Sequence, residues 1–499
     1  WCISRQLWWG HRIPAYFVSK DASEKFKVKS EELVVEEAKE LALEALKKKT
    51  GCQELTLDDI DQDPDVLDTW FSSWLWPFET LGWPEKTKDL DYYYPTCDLV
   101  TAQDIIFFWV ARMMMAGIHF MKKPPFKNIV IHGIVRAADG SKMSKSKGNS
   151  LDPLELIEQY SADALRFSIA LITSLECDTK VNKEKFEIGR NFTTKIWNAA
   201  KFIEMNRGVT ASSYDVATCT SDERHILFAC NKAAEKMDAL LEAYRIQDGA
   251  LAIYDFIWTD ICDWYLEYTK DAPDKGRAFA VLNEVFWKAL RMLHPYMPFV
   301  TEEVAHQLGY LTDGETIMRQ AYPTGYTDAE KAAWGLTDDV YDFVNAKREA
   351  ITALRALRAE YKVTPATFVK VTIAKTTTGA SGGPAPLPED EIPSLKKAMR
   401  AESVDFVAAG ADLAMPSKIT KFGTVYLSLE GLVDKAAESK RIAGELAKLA
   451  GFIKSSEAKL ANKAFVDHAP AAIVDEAKRK LAENKEKVAQ LEKLAKLFA

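Results

Sequence analysis

Apolar residues recur at threes and fours through the middle of the chain. The runs "PLELIEQYSADALRFSIALITS", "FTTKIWNAAKFIEM" and "ILFACNKAAEKMDALLEAYRI" carry this spacing and predict a helical bundle from about 152 to 310. The first part of the chain reads differently. Residues 1–18 and 91–170 have α/β character: "FKNIVIHGIV" (126–135) is a short β-branched strand and "DIIFFWVARMMM" (104–115) a helix. Between them, "SEELVVEEAKELALEALKKKTG" (30–51) has helical composition and stops at Gly51. Residues 330–430 form a smaller mixed unit. There the helix "DDVYDFVNAKREAITALRALRAEY" precedes the strand "TFVKVTIAK", and "TTTGASGGPAPLPEDE" is a Gly/Pro/Ser loop.

The end of the chain changes period. Ile442, Leu446, Leu449, Ile453, Ser456 and Leu460 alternate fours and threes. "ANKAFVDHAPAA" breaks the pattern, and Val474, Ala477, Leu481, Asn484, Val488, Leu491, Ala495 and Phe498 resume it. Two heptad helices joined by a Pro-containing turn predict an antiparallel coiled-coil hairpin. Residues 432–499 hold 14 Lys/Arg against 10 Asp/Glu, a net +4 on a chain of −8. An acidic body thus carries a basic arm, suited either to self-association or to leaning on a nucleic-acid backbone.

Composition narrows the class. A chain of 499 residues exceeds one core and predicts three or four domains. At 47% hydrophobic and 28% charged it is neither disordered nor fibrous. With 65 basic and 73 acidic residues there is no global basic field, so any polyanion must meet local patches. The seven cysteines are scattered without a C-x-x-C pair, which argues against structural zinc or a disulfide framework and fits a reducing cytosol. Arg112 interrupts "DIIFFWVARMMMAGIHFM", so this run is expected to be a buried helix rather than a membrane span. The chain opens on Trp1, with neither a start methionine nor a signal peptide, as a fragment or processed chain would.

One stretch carries the chemistry. "DGSKMSKSKGNSLDP" (139–153) places Lys142, Lys145 and Lys147 among serines, between Gly140 and Gly148. Such lysines repel one another unless an anion is present, and with serine hydroxyls and backbone N–H groups they suit a triphosphate. A solvated surface run is the plain alternative. The strand before it and the helix "DPLELIEQY" after it favour the nucleotide, because strand, loop and helix is how α/β sheets bind one.

The run Lys142-Met143-Ser144-Lys145-Ser146 is letter for letter similar to the signature loop of class I aminoacyl-tRNA synthetases. "WCISRQLWWGHRIPAYF" (1–17), "DPDVLDTWFSSWLWPFETLGWP" (63–84), "DIIFFWVARMMMAGIHF" (104–120), "GRNFTTKIWNAAKF" (189–202), "DWYLEY" (263–268) and "LHPYMPFVTEE" (293–303) look like the valyl-tRNA synthetase family. The resemblance covers essentially the whole chain and implies an α/β plus all-α architecture. Its parts are the C-terminal part of a Rossmann-like catalytic domain (1–170), a helical anticodon-binding bundle (171–330), a small mixed α/β unit (331–430) and a coiled-coil tRNA-binding arm (431–499). It also implies ATP-dependent joining of valine to tRNA through a valyl-adenylate, with Lys142 and Lys145 catalytic. ATP, as its Mg2+ complex, would be held by Asp104, His132, Gly133, Lys142, Met143, Ser144, Lys145 and Ser146. Trp70, Ile105 and Trp109 would shape the valine pocket, and no tightly bound metal is implied. Without the family match, Trp70 and Trp109 would read as core tryptophans, His132 as an ordinary strand-end histidine, Asp104 as a helix N-cap and Arg12 as the partner of a buried carboxylate.

The chain departs from that family in three places. The second signature, His-x-Gly-His, is missing from its seven histidines. That motif and an editing domain precede the segment matching Trp1, so the chain is expected to be a C-terminal portion of a cytoplasmic enzyme, a monomer when complete, whose N-terminal half is a partner. Editing matters because an apolar pocket rejects valine's near-isostere threonine only about 100-fold. Ala102-Gln103 stands where a glycine and another residue usually precede the aspartate, and Cys97-Asp98 where small or apolar residues are usual. Ser161 replaces a usual glycine. If those glycines serve φ > 0 or close approach, each replacement costs something. A catalytically incomplete tRNA-binding module, a coiled-coil protein with a vestigial body, and isoleucyl or leucyl specificity are the alternatives.

Overall fold

The computed structural model describes residues 1–174, 178–375, 391–411, 413, 415–432, 435–461 and 471–498; the side chains of Lys145 and of several arm residues lie outside that description. Most of the expected loop (376–390) and the break between the arm helices (462–470) also lie outside it. The chain divides into one unit of Trp1–Thr193 with Ala239–Leu251, and another of Thr194–Asp238 with Ala252–Ala499.

In the first unit, the strand Thr96–Ala102 pairs in parallel with Phe126–His132, setting Asp98 opposite Asn128 and Ala102 opposite His132. A parallel pair needs a crossover, and the helical segment Gln103–Met121 supplies it. By length and apolar composition alone this segment would pass for a membrane span. The expected buried helix is only partly found. Val110, Arg112, Met113 and Ala116 are buried, whereas Phe107, Phe108, Met115 and Ile118 are exposed. One face packs inward, and nothing among the described residues covers the other. Arg112 is accommodated because its Nη1 lies 3.3 Å from the buried Asp68 carboxylate, which also receives Arg5 at 3.1 Å and Trp1 Nε1 at 2.8 Å.

The first unit also holds a three-stranded antiparallel sheet in which Ala15–Val18 runs between Leu33–Val35 and Ile60–Gln62. Tyr16, Val18 and Ile60 pack with Leu43 and Leu46 of the helix Lys39–Thr50. That helix stops at Gly51, whose φ of 76° lets its amide reach Lys47 O. It begins later than the composition from residue 30 suggests, because the β-branched Val34 and Val35 pair with Tyr16 and Ala15 instead. Arg12 does not meet a buried carboxylate; it donates to the carbonyls of Asp63 and Gln62 at 2.8 and 3.0 Å.

In the second unit the helix Ser221–Glu242, as far as Asp238, and the helices Lys275–Leu293 and Pro298–Gln307 bury Ile226, Leu227, Met237, Leu282, Val285, Phe286 and Val304. The helix Asp338–Glu360 packs on a four-stranded sheet ordered Ala401–Val407, Val369–Lys375, Gly423–Leu427, Ser417–Thr420. Ile351, Leu354, Val371, Ile373, Val425 and Leu427 form that core. Lys347, on the same helix, is buried against the carboxylates of Asp222 and Glu391. The helices Lys435–Ala461 and Ala471–Phe498 bury Ile442, Leu449 and Leu491 between them, with Leu446, Val488 and Ala495 partly covered.

Two local features yield predictions. Ser161, between the helices Pro153–Tyr160 and Ala162–Ile172, has φ 90° and ψ 157°, a region that is essentially glycine's. The strain costs about 1–3 kcal/mol, whereas its cap bond to Ala164 N loses only a few tenths when glycine replaces serine. Ser161→Gly should therefore raise the unfolding free energy by about 1 kcal/mol in denaturant titration, after the greater freedom of glycine in the unfolded chain is subtracted.

His225 is buried, its ring stacked on Tyr341, with Nε2 3.1 Å from Asn345 Oδ1. Burial, and then the nearby Arg348 guanidinium, hold its pKa well below the usual value. Below pH about 6.5 the unfolded chain takes up a proton that the folded chain refuses, so stability falls as pH falls, by up to about 1.4 kcal/mol per unit. Denaturation at pH 7 and 5.5 should show this loss, and His225→Gln should reduce it.

Candidate active site

The register of the parallel pair builds a cleft. Alternation places Asp98, Val100 and Ala102 on one face of their strand, beside Asn128, Val130 and His132 of the neighbour. Val100, Ala102, Val130 and His132 line an open cleft of about 580 Å3, flanked by Ile134, Ile169, Tyr244 and Ile246, with Asp104 and Gly133 also lining it. The walls are apolar except at the strand ends, where the chain turns away and brings Asp104, His132 and Gly133 together. Asp104 sits in the turn Gln103–Ile105 and is not its cap, a position that belongs to Ala102. His132 is half-buried, with Nδ1 2.9 Å from Gly133 O. Gly133 N donates to Ser174 O at 3.2 Å and Ile134 N to Asp178 Oδ1 at 2.9 Å, which fixes the strand exit. The Ile134 amide first, and the Arg136 guanidinium bonded to the other carboxylate oxygen next, hold the Asp178 carboxyl below its ordinary pKa.

From Val135–Arg136, paired in parallel with Thr179–Lys180, the chain enters the lysine-rich loop. Gly140 takes φ 87° and Gly148 φ 65°, so both glycines are turn formers and not merely flexible joints. Directly after Gly148, Asn149 acts as a staple: its Oδ1 accepts from Ser144 N at 2.9 Å, and its Nδ2 donates to Ser141 Oγ at 2.9 Å and Lys142 O at 3.3 Å. Asp139 accepts from Ser141 N at 2.9 Å, a bond that lowers its pKa. Met143 packs against the cluster of Leu156, Tyr160 and Ala164, anchoring the loop to the helix that follows. Lys142, Ser146 and Lys147 are exposed, and neither of these two lysines forms an ion pair among the described residues. The Lys145 side chain lies outside the described residues. Lys180 adds a cation: its Cε lies 3.0 Å from where a Cβ on Gly140 would sit.

Trp70, Ile105 and Trp109 do not line the cleft. Trp70 and Trp109 are half-buried, on segments that pack against one another, Thr69–Ser73 and Ile106–Val110. They are therefore not the fully enclosed core tryptophans that their composition alone would suggest. Ala102 has φ −101°, an extended conformation open to any residue, so its methyl group bears only on the space in the cleft. Sequence reasoning missed Asn149, whose signal was an amide in a Ser/Gly loop, and Tyr244, which no local pattern could place.

Three family descriptions match the chain: tRNA synthetases class I (I, L, M and V) over residues 1–182, Anticodon-binding domain of tRNA ligase over 223–373, and Valyl tRNA synthetase tRNA binding arm over 434–497. A valine–tRNA ligase of Fusobacterium nucleatum is 39% identical across 100% of the chain, which covers 55% of that protein. One from Clostridium perfringens is 41% identical across 97% of the chain, covering 53% of that protein. The chain thus spans about half the length of the curated relatives it matches. Among solved structures, the LeuRS–tRNA–LeuAMS ternary complex from Agrobacterium radiobacter K84 shares the fold, with a TM-score of 0.50 and 16% identity over 83% of this chain and 51% of that one.

Proposed function

The chain belongs to the class I aminoacyl-tRNA synthetases, in their valyl group, and on that premise we propose that it supplies the phosphate-clamping half of an active site that activates valine with ATP and transfers it to tRNA. The observation that carries this reading is the stapled loop 139–149, which presents exposed ammonium groups directly after the strands that bring Asp104, His132 and Gly133 to one cleft. Asp104, His132 and Gly133 take the adenosine. Lys142, Ser144, Ser146 and the loop backbone take the phosphates of ATP·Mg2+, with Met143 anchoring the loop. A valine carboxylate oxygen attacks the α-phosphorus, the bond to pyrophosphate breaks, and Lys145 offsets the charge that gathers in between. In-line displacement of this kind needs positioning and charge neutralisation more than covalent help. Trp70, Ile105 and Trp109 wall the valine side, where flat rings fit a small branched aliphatic.

The domains serve tRNA in order. Residues 1–170 carry activation, 171–330 form the anticodon-binding bundle, 331–430 the mixed unit, and 431–499 a coiled-coil hairpin leaning on tRNA(Val) through its basic surface. The working enzyme is a cytoplasmic monomer that includes an N-terminal half, received by the exposed Trp8, Trp9, Phe107 and Phe108. A tRNA-binding module without catalysis is the second reading, favoured by the half-length match, and it forms no adenylate.

Joined to an N-terminal portion, the chain should catalyse valine-dependent ATP–pyrophosphate exchange. Lys145→Ala should lower kcat by about 100- to 1000-fold, as loss of one charge-stabilising group typically does. Lys142→Ala should chiefly raise the KM for ATP. Exchange at wild-type rates in Lys145→Ala would sink the assignment, and exchange supported by isoleucine or leucine in place of valine would redirect it.

A further inference from the structure

The buried carboxylate of Asp68 is a junction between remote parts of the first unit. Its Oδ2 lies 2.8 Å from Trp1 Nε1, 3.1 Å from Arg5 Nη2 and 3.3 Å from Arg112 Nη1, so three donors meet on one oxygen. The Asp68 amide donates to Ile3 O at 2.7 Å, and Ser4–Arg5 pairs antiparallel with Val66–Leu67. The Arg112 guanidinium lies over the Trp1 ring, 3.9 Å from its centre, and that ring packs with Phe71 and Trp74. Replacing such a buried pair by well-packed apolar side chains is often neutral for stability, because desolvation offsets the attraction. What the pair supplies is direction, since a guanidinium fork meets a carboxylate only in a narrow range of geometries.

Direction matters here because of what each partner carries. Asp68 precedes the short helix Thr69–Ser73 as its N-cap, and Trp70 follows it by two residues. Trp109 precedes Arg112 by three residues on the helical segment Gln103–Met121, with Ile105 further back on the same segment. Thr69–Ser73 and Ile106–Val110 pack against one another, and the ion pair joins the residue before the first to a residue just beyond the second. Movement of either end alters the distance between the two indole rings. An apolar pocket rejects one extra methylene only about 10- to 200-fold, so its width is the sensitive quantity. We propose that Asp68 is a positioning residue for amino-acid choice: through Arg112 it sets the spacing of Trp70 and Trp109, and so favours valine over isoleucine. This rests on the reading that those rings wall the valine side of the site. Asp68 acts through the pair and not by touching the substrate.

ATP–pyrophosphate exchange by the chain joined to its N-terminal portion, driven by valine and separately by isoleucine, tests the assignment. Asp68→Asn should raise the KM for valine about tenfold, leave the KM for ATP within about twofold, and raise the isoleucine-to-valine ratio of kcat/KM about tenfold. A smaller folded fraction alone would lower kcat with both amino acids and leave that ratio unmoved. Arg112→Lys keeps the charge but loses the fork, and should shift the ratio in the same direction. Because the two residues act as one pair, Asp68→Asn combined with Arg112→Lys should shift it no further than the larger single change. Arg5→Gln removes an Asp68 partner that lies on neither tryptophan segment, and should leave the ratio within about twofold. Circular dichroism and melting identify any variant that fails to fold; should Asp68→Asn be one, Arg112→Lys carries the comparison. An unmoved ratio in the folded variants, additive shifts in the double variant, or an equal shift in Arg5→Gln would each overturn the positioning role and leave the ligase reading in place. Absence of valine-dependent exchange in the wild type would overturn both.

Discussion

Ala102 lies opposite His132 because two strands run in parallel in one register, and the candidate site follows from that pairing. In a parallel pair both chains leave the sheet at the same end, so the residues after each strand are delivered side by side. Asp104 follows one strand by two residues and Gly133 follows the other by one, which is why residues so distant in sequence share a cleft mouth. A slip of one residue would turn Asp98, Val100 and Ala102 to the opposite face and dissolve the cleft. The Asp98–Asn128–Tyr244 cluster hydrogen-bonds across that register, and the Ile134 amide bond to Asp178 secures the exit.

The loop beyond that exit is held in shape without being neutralised. Its bonds run through Asn149, Asp139 and the two left-handed glycines, and its apolar contact runs through Met143, while Lys142 and Lys147 stay exposed. On the proposed reading, an anion binding there would relieve the repulsion among lysines that folding has placed on one short loop. Lys180, on the strand paired with Val135–Arg136, extends that field at the loop's base.

What the sequence made legible was whatever depends on neighbours along the chain. Gly51 ends its helix as a left-handed cap. Ile442, Leu449 and Leu491 sit where their spacing puts them, and the lysine run stands between a strand and a helix. What escaped depends on partners remote in sequence. Arg112 reads as a flaw in an apolar helix until Asp68, 44 residues earlier, is seen to receive it. Asn128 and Asp98 acquire meaning only when Tyr244, 116 and 146 positions away, lies across them. The exposed Phe107 and Phe108 mislead for a related reason, because periodicity records that a face is apolar but not what covers it.

The two positions where the resemblance leads one to expect glycine, Ala102 and Ser161, show why a departure has to be judged by dihedral angle. Ala102 has φ −101° and strains nothing; its methyl group lines the cleft, so any consequence falls on the ligand and not on the fold. Ser161 has φ 90° and carries strain, yet it does not line the cleft and its hydroxyl caps the following helix through Ala164 N, so the consequence there falls on the fold. A glycine kept for close approach and one kept for a left-handed turn look the same in a sequence. They differ in which free energy changes when a side chain appears: affinity at Ala102, stability at Ser161.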